Sequence, residues 1–178
     1  MDSRGREKQV IYTGKKISLE LHHLKDNDGR PHTREIVQHP GAAVILPVLP
    51  DGQILLIKTY RYAAQQHLIE LPAGTIDPGE TPMNCAGREL MEETGYIAGK
   101  LQRIGSFYAS PGIMTEMMHA FLATDLLPHA GEKDIGEQIE LQPMTYKEAL
   151  TAVVSGEIID AKTIATLLLF DAKRKAGN

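Results

Sequence analysis

The apolar positions divide the chain into a sparse opening and a denser remainder. Residues Gln9–Tyr12, Lys16–His23 and Thr33–Gln38 read as short strands, and Asp26-Asn27-Asp28-Gly29 supplies turn chemistry between the last two. These first 40 residues hold too little apolar surface to fold alone, so they are expected to lean on the rest of the chain or on a second copy. His39-Pro40-Gly41 breaks the pattern. Ala42–Leu49 is then an apolar run suited to a buried strand, and Pro50-Asp51-Gly52 turns it into Gln53–Tyr60, which predicts a hairpin of the two. His67–Leu71 reads as a short strand ending at Pro72. Thr81 and Pro82 suit the N-cap and first position of a helix that Gly95 closes. Lys100–Tyr108 and Met117–Ala123 read as strands. Thr145-Tyr146-Lys147-Glu148 is a capping box for a helix ending near Gly156, and Asp160 begins a last helix through Ile164, Leu167, Leu168 and Phe170. Strands and helices interleave without regular βαβ alternation, so the expected class is α+β, with a mixed sheet held between helices.

A helix over Pro82–Thr94 advances ~100° per residue, which puts Met83, Ala86, Leu90 and Thr94 on one core-facing stripe. Glu89, Glu92 and Glu93 gather on the adjoining flank. Like charges at such spacing destabilise a helix by a few tenths of a kcal/mol, so stability alone does not favour them. Hard divalent cations do favour them, because Mg2+ binds one or two carboxylates together with substrate phosphates. Arg88 lies beside the cluster with a planar fork able to orient a carboxylate. The preceding stretch, Leu71–Glu80, is punctuated by Gly and Pro and can bring backbone carbonyls close to an ion.

Composition narrows the function classes. Of 178 residues, 42% are hydrophobic and 24% charged, as in a soluble globular domain with a small appendage. A net charge of −4 and a pI near 6.0 speak against a protein built to grip nucleic acid. Lys173-Arg174-Lys175 reads as the charged end of the last helix rather than a basic patch. Cys85 is the only cysteine, which rules out an intrachain disulfide and a thiolate zinc cluster, and its apolar neighbours make it a small buried hydrophobe. No segment resembles a signal peptide or approaches the ~20 apolar residues that span a bilayer, so no membrane association is expected and the cytoplasm is the expected compartment.

Gly74, Glu80, Arg88-Glu89-Leu90, Glu92-Glu93 and Gly95-Tyr96, with their intervening gaps, resemble the 23-residue signature of the Nudix hydrolases at every fixed position. The resemblance implies an α/β/α sandwich with a loop–helix–loop signature, and hydrolysis of nucleoside-diphosphate compounds with Mg2+ or Mn2+. Carried over by position, Glu89 and Glu93 are the main metal ligands, Glu92 supports them, and the Ala73 carbonyl completes the sphere. Glu80 and Arg88 shape the site.

Further residues resemble the ADP-ribose pyrophosphatase branch: Ser110-Pro111-Gly112, Tyr60-Arg61-Tyr62, Glu70–Gly74, Glu116, Glu137-Gln138-Ile139-Glu140 and Ile158-Ile159-Asp160-Ala161. That likeness implies cleavage of ADP-ribose to AMP and ribose 5-phosphate, with another nucleotide sugar such as GDP-mannose or ADP-glucose as the alternative substrate, and a non-catalytic ADP-ribose sensor as a further one. It implies a late-loop acid as base or further metal ligand, for which Glu137 is chosen over Asp134 and Glu140. Glu92 and Glu93 join it in the catalytic set. Arg61 is assigned to phosphate or ribose, Glu116 to the terminal ribose, and Arg34 and Gly112 to the substrate. The branch also implies a homodimer, in which residues 1–40 form a β subdomain serving dimerisation and the base side of the substrate, and residues 41–178 form the hydrolase domain. The chain contains no Trp, so base stacking falls to Tyr, Phe or Arg, with Tyr12 and Tyr108 as candidates.

Overall fold

The turn at Asp26–Gly29 closes the first ladder as its side chains dictate. Asp26 Oδ1 accepts the backbone N–H groups of Asp28 and Arg30 at 2.9 and 2.8 Å, and Gly29 takes the left-handed φ of 80° that the bend requires. It joins β2 (Ser18–Lys25) to β3 (Pro31–Gln38), and β1 (Glu7–Thr13) pairs antiparallel with the other edge of β2. The computed structural model describes residues 7–129 and 139–177, which fall into two units. The first comprises Met1–Gly41 together with Tyr108–Met117. It therefore takes in more than the opening segment. A piece of the later chain docks on β3 through a parallel bridge Val37↔Met114, with Val37 N–H donating to Ile113 O (2.8 Å) and Thr115 N–H donating to Val37 O (3.0 Å).

The second unit, Ala42–Phe107 with Met118–Asn178, holds two sheets. Three antiparallel strands run in the order β10 (Glu140–Met144), β5 (Ile54–Arg61), β6 (Gln66–Glu70). The other sheet is mixed, in the order β7 (Ala73–Thr75), β4 (Ala42–Pro47), β9 (Met117–Pro128), β8 (Tyr96–Tyr108), with β4 antiparallel to β7 and parallel to β9. The hairpin expected of the two apolar runs is thus corrected. Beyond the Leu49 N–H to Gln53 O bond and a single bridge Val48↔Ile54, β4 and β5 part into different sheets. All of β4 and the first four residues of β5 are buried. Strands covered on both faces read as continuous apolar runs, and such a run does not name its partner.

Side chains of β4 alternate between two cores. Ala42, Val44 and Leu46 pack with Ala149, Ile158 and Leu167, the side of α2 (Tyr146–Ser155) and α3 (Ala161–Lys175). Ala43 and Ile45 pack with Cys85, Ala86 and Leu90 of α1 (Pro82–Thr94). The mixed sheet accordingly lies between helices, the α/β/α arrangement expected. Among the described residues no helix is long and apolar enough to cross a membrane.

Candidate active site

Local sequence fixes α1 at both ends. Thr81 Oγ1 accepts the N–H of Asn84 at 3.2 Å, Pro82 takes the first position, and Gly95 stops the helix at φ 75° with its N–H on Met91 O. The buried face is Cys85, Ala86, Leu90, Glu93 and Thr94. Met83, expected on that stripe, is instead exposed in the first turn, and burial begins at Cys85, while Glu93 turns inward.

Arg88 organises the acidic flank. Its Nε and Nη2 donate to the two oxygens of Glu80 at 3.0 Å each, and its Nη1 donates to Glu89 Oε1 at 2.6 Å and Glu92 Oε2 at 3.0 Å. Nη2 also reaches the carbonyl of Thr75 at 3.2 Å, tying the helix to β7. The Arg88 bond is the main reason the Glu80 pKa lies below its ordinary value, and the same bond raises that of Arg88. Glu89 behaves oppositely. Its burial raises its pKa, and the charges of Glu92 and Glu80 add to this against the pull of Arg88.

Glu93, 8% exposed, accepts the backbone N–H of Ala73 at 2.9 Å. The Ala73 group engaged here is thus its N–H. Beside it, a Cβ on Gly74 would overlap the Glu89 carboxylate, so the absence of a side chain is what lets that carboxylate lie against the backbone. Cys85 is fully buried, its Sγ on the carbonyl of Gly74 at 3.4 Å, and burial pushes the thiol up to about 12. It is an inert packing residue, as expected.

The sequence-chosen metal ligands Ala73, Glu89, Glu92 and Glu93 therefore come together around one turn of helix and one edge strand. Among the described residues no three His, Cys, Asp or Glu side chains already converge to chelate an ion. The acids rest on Arg88 and on the Ala73 N–H. The donor set still fits a hard divalent cation, being all oxygen, with the Glu89 carboxylate pressed into a cradle only glycine provides.

The other expected residues distribute as follows. Arg61, at the end of β5, donates from Nε and Nη2 to Glu70 at 2.9 and 2.7 Å. Glu70 is 1% exposed and also receives Lys162. Arg34 and Gly112 line one cleft of about 400 Å3 in the first unit, with Leu19, Glu35, Val37 and Ile113. Glu116 Oε1 lies 3.7 Å from His39 Nε2, whose Nδ1 accepts the N–H of Gly41 at 3.1 Å. Glu140 sits on β10, exposed, with Gln142 Nε2 on its Oε1. Glu137 and Asp134 lie outside the described residues. Tyr12 and Tyr108 are both exposed. Glu70, Lys162 and Thr163 were not singled out as site residues by sequence reasoning. The available signal was a carboxylate inside the apolar strand His67–Leu71, which a buried site can hold only with partners.

The family model for the NUDIX domain matches residues 37–167. An ADP-ribose pyrophosphatase of Bacillus subtilis (strain 168) is 42% identical over 158 residues, covering 88% of this chain and 85% of its own. A GDP-mannose pyrophosphatase of Yersinia enterocolitica serotype O:8 / biotype 1B is 37% identical over 139 residues, 71% of each chain. A crystal structure described as an ADP compounds hydrolase superposes with a TM-score of 0.84 at 22% identity, covering 97% of this chain and 94% of its own, and shows the same fold. Hydrolases with this domain generally use divalent metal ions, and the pyrophosphatases among them act on small nucleotide substrates. A family match over most of the chain, together with a 42% identical relative spanning 88% of it, makes this protein a member of the Nudix hydrolase family.

Proposed function

We propose that this protein hydrolyses the diphosphate bond of ADP-ribose to AMP and ribose 5-phosphate, with Mg2+, as a cytoplasmic homodimer. The carrying observation is the Arg88 fork, which gathers Glu80, Glu89 and Glu92 beside Gly74 while Glu93 is held on the N–H of Ala73. The choice of ADP-ribose is supported by the pyrophosphatase relative at 42% identity. GDP-mannose is the second reading, favoured by the relative from Yersinia.

Glu89, Glu93, Glu92 and the Ala73 carbonyl would hold the cation, with Glu137 as a further ligand. A bound Mg2+ supplies neutralisation of the non-bridging phosphate oxygens and a lowered pKa for a water in the site. The chain's own groups do the rest. Arg88 spreads one positive charge over three acids, which lowers their mutual repulsion and fixes their directions. Arg61, oriented by Glu70, presents positive charge to the diphosphate. Glu137 takes the proton of the attacking water as its oxygen bonds to phosphorus and the bridging oxygen leaves with the other phosphate, and Glu92 and Glu93 complete the catalytic set. Arg34 and Gly112, which share a cleft, and Glu116 hold the nucleoside and ribose ends.

Incubation with Mg2+ and a panel of nucleoside-diphosphate compounds tests this, with products resolved by chromatography. ADP-ribose should give the highest kcat/KM. A clear preference for GDP-mannose or another sugar nucleotide would overturn the substrate, and an inert panel would overturn the activity.

A further inference from the structure

The chain changes sheets between Glu70 and Ala73. Glu70 ends β6, where it pairs with Ile57, and Ala73 begins β7, where it pairs with Val44. The two-residue link Leu71-Pro72 therefore joins the strand pair that carries Arg61 to the strand whose N–H holds Glu93. Two bonds fix this crossing from outside the sheets, one at Glu70 and one at Leu71, and both come from the first turn of α3, 92 residues further along the chain. Thr163, fully buried, accepts the Leu71 N–H on Oγ1 at 2.8 Å. Lys162 Nζ reaches Glu70 Oε2, the oxygen that also takes Arg61 Nη2.

Asp160 ties the two together. Its Oδ2 accepts both the N–H and the Oγ1–H of Thr163, at 2.9 and 2.6 Å, and its Oδ1 lies 3.0 Å from Lys162 Nζ. A helix cap alone needs only the bond from Asp160 to the Thr163 N–H. Here the same turn also makes two bonds outward, to the last residue of β6 and the first of the sheet-crossing link. Nothing about capping calls for those.

We infer that Lys162 and Thr163 are positioning residues for diphosphate hydrolysis, setting Arg61 at a fixed distance from the Ala73–Glu93 contact by pinning Glu70 and Leu71 to the first turn of α3. This rests on the roles given to Arg61 and Glu93 above. Neither residue needs to touch substrate. If the link slips, Arg61 shifts against the carboxylates, and a displacement of about 1 Å at a reacting centre can reduce rate ~100-fold.

Three variants and two readouts test it. Kinetics on ADP-ribose with saturating Mg2+ are taken where circular dichroism shows each variant fully folded. The side-chain Nε–H signal of Arg61 is followed by NMR without substrate or metal. Thr163→Val keeps the volume but removes the acceptor for Leu71, and kcat/KM should fall at least about tenfold. Thr163→Ser restores the hydroxyl and should return to within about threefold of wild type. Lys162→Met keeps the apolar stem; it should raise KM more than it lowers kcat and should shift and broaden the Arg61 signal, as its Glu70 partner loosens. Should Thr163→Val not fold, Lys162→Met, at a half-buried site, decides alone. Wild-type kcat/KM in Thr163→Val, or an unchanged KM and Arg61 signal in Lys162→Met, would reduce the turn to a helix cap. If the wild type leaves ADP-ribose uncut, the substrate reading fails by itself, and the Arg61 signal still decides the positioning role.

Discussion

Gly74 separates stability from catalysis more sharply than any charged residue of the site. The three atoms nearest a Cβ there all belong to the end of the Glu89 side chain, which can swing away, and the position needs no left-handed backbone. Gly74→Ala should therefore leave the unfolding free energy from urea titration within about 1 kcal/mol of wild type. Turnover should fall by about 100-fold, because Glu89 is displaced from the Gly74 backbone. Equal losses of stability and activity would mean that Gly74 serves packing instead. Glu70 makes the opposite prediction. Burial works against its charge, but the Arg61 and Lys162 hydrogen bonds and charges outweigh it, so its folded pKa lies below the ordinary value. A depressed folded pKa stabilises above the unfolded value, ~4.3, and that contribution is lost as pH falls through the lower folded value. Glu70→Gln should cost about 2–4 kcal/mol at neutral pH, since it leaves two cations facing a neutral amide. The gap to wild type should close in urea titrations as pH drops below about 4. A gap constant with pH would show that shape, not charge, holds the network.

At the scale of elements, what announces itself through side chains that act on their own neighbours was legible, and what depends on distant partners was not. Thr81, Pro82 and Gly95 bound α1 where the sequence places them, and Thr145 with Glu148 forms both bonds of its capping box. The αL residue at Gly95 predicts that Gly95→Ala destabilises by about 1 kcal/mol, seen as a lower melting midpoint with the fold unchanged. No change in that midpoint would show the helix end relaxing without strain. The parting of β4 from β5 was hidden, because two uninterrupted apolar runs carry no period that distinguishes a shared ladder from separate sheets. β7 was hidden for another reason: three residues, Ala73–Thr75, are too few to show alternation, although they form the edge on which Glu93 and Arg88 rest. The signature spacing found the acids. It did not find Lys162 and Thr163, whose partners lie 92 residues away.

For the whole molecule, the segment Tyr108–Met117 shows how far contiguous reading reaches. It belongs with the N-terminal strands through hydrogen bonds to Val37, which no local pattern encodes, and it brings Gly112 to the cleft of Arg34. The same unit presents an unsolved surface. All seven residues of β1 are exposed, and Val10, Ile11 and Tyr12 are 57%, 48% and 58% exposed on a strand at the edge of its sheet. The register shift between Val10 and Tyr12 bends that edge, a device that discourages indiscriminate pairing, yet three consecutive apolar side chains stay uncovered. A monomer in water gains nothing from such a strand, whereas a second copy can bury it. Sedimentation of the wild type should give a dimer at micromolar concentration, and Ile11→Asp should give a monomer with the second unit's melting behaviour retained. If the N-terminal strands also serve the base side of the substrate, that monomer should show a higher KM for ADP-ribose at little change in kcat, because the carboxylates around Arg88 lie in the other unit. A wild type that sediments as a monomer would rule the dimer out and leave β1 to some other partner.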